Sequence, residues 1–289
     1  TLVVGLTNPV AVGTNSGTVN VVFVSQALTN TLADTIFQTS TVTVSGFAYS
    51  GQSTWTAGGG NWTNFSSWDA AGGTPGLDGA LSVNDTATFG TNGSGTVVLD
   101  TNAQLSSLSF SNGSSPYTIT GTGTVTLQTA GLLNNLAGTN TVSTAIELAT
   151  DVTLSNAALL NLTGFIVGDY TLAFSGAGTT ILSGTNSSSS FTEIYSGTLL
   201  VTGAITNSSF IGVGDPGTNA SLVVSNGGRV TVTNSGVQIG NSNNSYGNSV
   251  VVTGTNSFLS VTGGLQVGNA SNAYSNSLVV LGGGTVVAD

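Results

Sequence analysis

Short strings of Val, Leu and Ile recur along the chain, and turns rich in Gly and Asn separate them. Within many strings the apolar residues alternate with Thr or Ser, as in Val230-Thr-Val-Thr. A period of two is typical of β-strands with one buried face, and Gly and Asn accept the positive φ angles of tight turns. Residues 131–149 contain some Leu and Ala, but Gly138, Thr139 and Asn140 interrupt them. The pattern predicts an all-β protein.

The strings repeat at a fixed spacing in residues 211–289. Ser221, Ser249 and Ser277 each begin a similar Val-rich string, at intervals of 28 residues. A repeat of this kind predicts coils stacked about 4.8 Å apart, each burying its apolar face against the next. The loop between the strings repeats as well, so equivalent loop residues should form ladders. The predicted ladder pairs are Asn241 with Asn269, Asn244 with Asn272, Tyr246 with Tyr274, and Asn248 with Asn276.

We therefore expect residues 53–289 to form a right-handed parallel β-helix, that is, a β-solenoid. An antiparallel sandwich of Thr-rich strands is the alternative, which the 28-residue spacing disfavours. Residues 1–52 differ, since strings at 2–6, 16–24 and 41–49 predict three strands of a small antiparallel unit. Three strands are too few for a sandwich, which needs about seven. They either pack on the solenoid as a cap or take their missing partners from another chain.

Charged residues make up only 4% of the chain, the net charge is −10, and Arg229 is the single base. Binding to nucleic-acid phosphates needs clustered Lys and Arg, so we expect no nucleic-acid partner. No apolar run approaches the roughly 18 residues of a transmembrane helix, so we expect no direct membrane insertion. The chain has no His, Cys or Lys, which excludes an activated Ser or Thr nucleophile and the usual zinc ligands. We expect that the protein is not an enzyme.

Two kinds of chemistry that use only oxygen ligands remain open. Asp78, Asp85 and Asp100 could pair for glycoside hydrolysis, although they lack neighbouring bases, and we interpret Asp85 and Asp100 as acceptors for turn amides. Asp78, Asn84 and Asp85, or Asp215 in its Gly-rich turn, could hold a structural calcium ion. Neither group matches a known calcium loop, and we predict no cofactor.

Trp55, Trp62, Phe65 and Trp68 lie close together in a Gly-rich stretch. Flat aromatic faces can stack on sugars, and they can also plug the open end of an apolar core. We favour the plug.

Several segments resemble the autotransporter-associated β-strand repeat of bacterial surface proteins. Residues 170–186 (YTLAFSGAGTTILSGTN) and 195–203 (YSGTLLVTG) carry its Gly-rich strand, Asn turn and Gly-Thr-Leu strand. Residues 54–127 resemble the segment that often opens such solenoids. The matching residues there are Trp55, Gly60-Asn-Trp62, Trp68, Pro75-Gly, Asp85-Thr-Ala-Thr-Phe89, Val98-Leu-Asp100 and Leu108-Ser-Phe110. The first fifty residues resemble the last strands of an immunoglobulin-like module of bacterial surface proteins.

The resemblance implies an extracellular or cell-surface protein of bacterial origin. Together with the regularity of the chain, it predicts a structural role as a self-associating filament or stalk subunit that stacks through strand edges. The alternative is a surface adhesin whose solenoid binds host or matrix glycans.

Overall fold

The computed structural model describes residues 12–25, 35–188 and 190–289, in two compact units, 1–50 and 51–289. Its described residues form strands, two short 3-10 helices and turns, so the protein is all-β. None of the helices in these ranges has the length and apolar character needed to cross a membrane.

The N-terminal unit is an antiparallel ribbon of β1 (Gly13–Ser25) and β2 (Thr35–Ala48). Val19 pairs with Val42, and the register shifts between Phe23 and Val24. Val19, Phe23 and Val42 are all exposed. The ribbon contains the predicted strings 16–24 and 41–49, whereas the predicted strand 2–6 lies outside the described residues. Whether this unit acts as a cap stays a prediction.

The second unit is a parallel β-solenoid, as the repeats predict. One sheet has 10 strands and receives a strand from each successive coil. Its strands are β4 (Gly60–Asn61), β6 (Gly95–Val98), β8 (Tyr117–Thr120), β10 (Thr139–Val142), β13 (Leu159–Leu162), β16 (Thr179–Leu182), β19 (Gly197–Val201), β21 (Ala220–Val224), β23 (Ser249–Thr253) and β26 (Ser277–Leu281).

The second sheet has 15 strands and supplies the remaining sides of each coil. Its strands are β3 (Gln52–Trp55), β5 (Thr86–Phe89), β7 (Ala103–Ser111), β9 (Thr124–Ala137), β11 (Ala145–Leu148), β12 (Val152–Asn156), β14 (Ile166–Val167), β15 (Leu172–Ser175), β17 (Thr185–Asn186), β18 (Phe191–Ile194), β20 (Ala204–Val213), β22 (Arg229–Ile239), β24 (Phe258–Val261), β25 (Leu265–Val267) and β27 (Thr285–Ala288). The 3-10 helices, Phe65–Ser67 and Gly79–Asn84, lie in the loop between β4 and β5. The right-handed sense of the coil stays a prediction.

Coil length varies along the stack. Thr139 pairs with Leu159 and Leu159 with Thr179, so these coils take 20 residues. Ser249 pairs with Ser221 on one side and Ser277 on the other, which gives the 28-residue coils that the sequence predicts. The longer coils place their extra residues in loops such as 240–248, between β22 and β23. Irregular coil lengths explain why the repeat is weak upstream of residue 211.

Alternation places one row of side chains of each strand in the core. In β21, Leu222 and Val224 are buried, while Val223 between them faces outward. Some corners leave no room for a side chain. A Cβ on Gly184 would lie 2.0 Å from the Gly164 carbonyl oxygen, and one on Gly203 would lie 2.2 Å from the Gly184 carbonyl oxygen. Stacked glycines thus allow successive turns to approach closely.

A pair of truncations in β21 tests the assignment of its two faces. Leu222→Ala should lower the free energy of unfolding by about 2–5 kcal/mol, because it removes packed methyl groups and leaves a cavity. Val223→Ala should cost less than about 1 kcal/mol, because that side chain is partly in water. Urea unfolding followed by circular dichroism measures both. Equal costs for the two variants would contradict the assignment.

Candidate functional site: side-chain ladders and the two ends of the solenoid

A buried network of asparagines joins neighbouring coils inside the solenoid. The Asn140 Nδ2 donates to Asn112 Oδ1 and to Asn135 Oδ1, both at 2.8 Å. The Asn135 Nδ2 in turn donates to Asn156 Oδ1 at 2.8 Å. The Asn140 Oδ1 accepts a hydrogen bond from the Tyr117 backbone N–H at 2.9 Å. All four amides are at least 98% buried, so each hydrogen bond replaces one that water would otherwise make.

Sequence reasoning missed this network. The asparagines are spaced irregularly, and Asn is also common in the exposed turns, so nothing in the pattern distinguishes an inward amide from a turn amide. One signal could have identified the buried amides, namely their position in the alternating pattern. Asn135 and Asn156 fall at inward positions near the ends of strands β9 and β12.

Two of the predicted ladder pairs stack directly from coil to coil. The rings of Tyr246 and Tyr274 are parallel, at 5° and 5.1 Å between centroids. The Asn276 Oδ1 accepts from both the backbone N–H and the Nδ2 of Asn248, each at 3.0 Å. The Asn248 Oδ1 accepts from the Ala220 N–H at 2.9 Å, so the same bond recurs one coil earlier.

The other two predicted pairs contact differently. The Asn269 backbone N–H donates to Asn241 Oδ1 at 3.1 Å, while the Asn241 Nδ2 donates to Gln266 Oε1 at 3.0 Å. Asn244 and Asn272 occupy equivalent positive-φ turns, at 62° and 59°. Asn favours this conformation more than most residues do. Asn244 and Asn272 therefore repeat because of backbone geometry, without a side-chain stack.

Three tryptophans close the first end of the core. Trp55, Trp62 and Trp68 are at most 3% exposed. The Trp68 ring packs edge-on against both Trp55 and Trp62, at 5.0 and 4.8 Å between centroids. The Trp62 Nε1 donates to the Pro75 carbonyl oxygen at 3.0 Å. This arrangement fits the plug. Phe65, which we placed in the same group, is 43% exposed and is not part of it, because it begins a surface 3-10 helix.

The loop that carries the tryptophans also covers strand edges. Ser67 and Asp69 pair with β3 in an antiparallel bridge, with Thr56 N–H to Ser67 O at 2.8 Å and Asp69 N–H to Thr54 O at 2.9 Å. Farther along, the Gly76 carbonyl oxygen accepts from the Gln104 N–H of β7 at 2.9 Å. Edges that would otherwise present free amides and carbonyls are therefore occupied at this end.

The candidate carboxylates bind backbone amides. The Asp85 Oδ2 accepts from the Gly76 N–H at 2.7 Å, and Asp100 accepts from the Thr63 N–H at 3.1 Å. Burial raises the pKa of Asp85, against the hydrogen bonds that lower it. Desolvation also raises the pKa of Asp100, but hydrogen bonds, foremost those from Thr63, together outweigh it and lower that pKa overall. Both carboxylates therefore accept hydrogen bonds from backbone amides of loops, in agreement with the interpretation from the sequence.

The remaining calcium candidates are separate. Asp78 and Asn84 bound the second 3-10 helix near Asp85, whereas Asp215 lies on a distant coil and accepts a hydrogen bond from Ser242 Oγ. Within the described residues, no three acidic, His or Cys side chains are grouped to hold a metal ion. Calcium binding through these residues stays a prediction.

The coil of β26 and β27 has no such covering loop among the described residues. Strands β26 and β27 pair only on one side, with β23 and β24, in the described structure. Val280 continues the inward row of Val252, which is fully buried, yet Val280 is 47% exposed. Tyr274 is 58% exposed, compared with 39% for Tyr246 one coil earlier. The edge therefore combines an apolar row with unpaired backbone groups.

Comparisons with protein-family models, with curated proteins and with solved structures find no match to this chain. The fold and the ladders therefore define the class of the protein, which is a parallel β-solenoid.

Truncation at the centre of the buried network should be costly. Asn140→Ala removes the acceptor of the Tyr117 N–H and the donor to Asn112 Oδ1 and Asn135 Oδ1. Each buried group left unsatisfied costs about 1–3 kcal/mol. Asn161→Ala is the matched control, because Asn161 lies outward on the next coil. Urea unfolding should show a much larger loss for Asn140→Ala. A similar small loss in both variants would contradict a structural role for the network.

Asp85 should make stability depend on pH in a defined direction. Its folded-state pKa is raised above 3.8, so the stability that its proton contributes is complete below pH 3.8 and is lost as pH rises through the folded-state value. The urea midpoint of Asp85→Asn should therefore rise relative to that of the wild type over this range. Asp100→Asn should change in the opposite direction, because the pKa of Asp100 is lowered. Parallel pH profiles for all three proteins would contradict these assignments.

Proposed function

We propose that the protein is an extracellular structural element of bacterial origin, a rigid rod that associates with further copies through strand edges. The proposal is carried by one observation, the equivalence of β26 to β23. Both strands are Val-rich, begin at a Ser and occupy the same place in 28-residue coils. The other edge of β26 therefore offers the same chemistry as the edge of β23 that accepts β26.

The interior supports a mechanical role. Each coil contacts its neighbours through backbone hydrogen bonds, a continuous apolar core and side-chain ladders. In a solenoid these contacts add from coil to coil, and local stability does not depend on distant residues. The resemblance to autotransporter-associated repeats, common in bacterial surface proteins, agrees with such a role.

The two ends of the rod differ, and this limits how copies can pair. The loop carrying Ser67, Asp69 and Gly76 already occupies edges at the first coils. An edge-to-edge contact between solenoids therefore joins the last coil of one copy to the last coil of another. Such a contact is self-complementary and closes as a pair. Longer fibres would need a second surface, for which the exposed apolar residues of the β1–β2 ribbon are suited.

A second candidate function, glycan binding by a surface adhesin, is favoured by one groove. It measures about 460 Å³, and its polar lining consists of Ser196, Thr198, Thr218 and Asn219. Hydroxyl and amide groups of this kind can hydrogen-bond neutral sugars. The other lining residues are Gly176, Ala177 and Gly197, so the groove offers no aromatic platform. Retention of a monomer on a glycan column would favour this alternative.

Neighbouring valines in β26 provide a matched test of association. Val280→Lys places a charge in the inward row of the exposed edge, and an inward charge at an edge opposes strand pairing. Val279→Lys adds the same charge to the outward face, where Val279 is 37% exposed. We expect the wild type and Val279→Lys to associate and Val280→Lys to remain monomeric in sedimentation velocity. Negative-stain electron microscopy should show joined rods only for the first two. A monomeric wild type at all concentrations would overturn the proposal.

A further inference from the structure

One coil in the middle of the solenoid has polar side chains at three inward positions, although its inward Leu182 and Ile194 are apolar. We call the coil of β16, β17 and β18 the polar coil; its inward residues include Thr180, Asn186 and Thr192, all at most 3% exposed. The neighbouring coils are apolar at each matching position. Leu160 and Leu199 flank Thr180, Ile166 and Ile205 flank Asn186, and Leu172 and Ile211 flank Thr192.

Asn186 is the least satisfied of these side chains. Its Oδ1 accepts from the Ser188 backbone N–H at 3.0 Å, which fixes the side chain in the turn after β17. Its Nδ2 has no hydrogen-bond acceptor among the residues that the structure describes. The side chain is fully buried between two isoleucines, so bulk solvent does not reach it. A buried amide without an acceptor is costly and rare in native proteins.

Two other polar groups of the coil, the hydroxyls of Thr180 and Thr192, retain hydrogen-bonding capacity. The Thr180 Oγ1 accepts from Asn156 Nδ2 at 3.0 Å, and the Thr192 Oγ1 accepts from Ser208 Oγ at 3.2 Å. A hydroxyl oxygen has two lone pairs, so each retains capacity beyond the bond that it accepts. Thr and Asn are also smaller than the Leu and Ile of the flanking coils. At these three positions the coil is therefore more polar than its neighbours.

We propose that the interior of the polar coil is a binding site for buried water, held by the Asn186 Nδ2. The ligand must accept a hydrogen bond from the amide, which excludes a cation at that atom. An anion would be buried without a compensating charge, because the only base of the chain, Arg229, stacks on Phe258 at 5.1 Å on a later coil. Water accepts from the amide and donates to hydroxyl or carbonyl oxygens, and buried waters commonly make about three such bonds.

The test counts long-lived internal waters in the whole protein by ¹⁷O water relaxation dispersion, alongside a high-resolution crystal structure. We expect density within hydrogen-bond distance of Asn186 Nδ2 in the wild type. Asn186→Leu, which extends the stack of Ile166 and Ile205, should lose this density and reduce the dispersion amplitude. Asn186→Val is the second variant, in case Leu does not fit.

Asn161→Leu is the control, because it makes the same chemical change on the outward face of β13. It should leave the dispersion amplitude unchanged. A wild-type crystal structure without density at Asn186 Nδ2 would overturn the proposal. So would equal amplitudes for the wild type and a folded Asn186 variant.

Discussion

The structure depends on placing each residue of a coil directly over its equivalent in the next coil. Parallel strands are linked by backbone hydrogen bonds at a spacing of about 4.8 Å, and that spacing leaves no freedom to offset the side chains. Inward rows must therefore match in size from coil to coil, as Leu222, Val250 and Leu278 do. Corners must match as well, and at Gly164, Gly184 and Gly203 only glycine fits.

This constraint explains how a chain with so few charges holds polar groups in its interior. A buried amide is tolerated when another amide lies above or below it, because stacking supplies the hydrogen-bond partner. Asn135 and Asn156 satisfy each other in this way, and Asn140, five residues after Asn135, donates to the Asn135 Oδ1. Asn186 lies between two isoleucines and receives no such help. The stacking that supplies partners to equivalent amides therefore leaves a single buried amide such as Asn186 without one. A buried water is the partner that we propose for it.

The sequence predicts the fold well where coils are equal in length and poorly where they are not. The 28-residue spacing locates β21, β23 and β26, and it identifies Tyr246 and Tyr274 as equivalent residues. Upstream of residue 211 the pattern predicts β-strands, but it does not predict the coils of 20 residues. The buried network around Asn140 could not be predicted, because side-chain direction in an irregular coil depends on its register with the next coil. Phe65 was misplaced for a related reason, since sequence proximity to three tryptophans does not decide which way a ring points.

The difference between the two ends follows from the same stacking rule. A coil in the middle of the solenoid pairs with a neighbouring coil on each side. A coil with only one neighbour needs another element to cover its second side. At the first end, an irregular loop does so by aiming tryptophans at the core and by pairing Ser67 and Asp69 with β3. This cap has no repeat in the sequence because it contacts only one coil. At the last coil, Val280 and Tyr274 retain the residue types of an interior coil while they are exposed to solvent. These side chains match the equivalent residues of another coil of the same kind, and this match is the basis for the proposed association through β26 and β27.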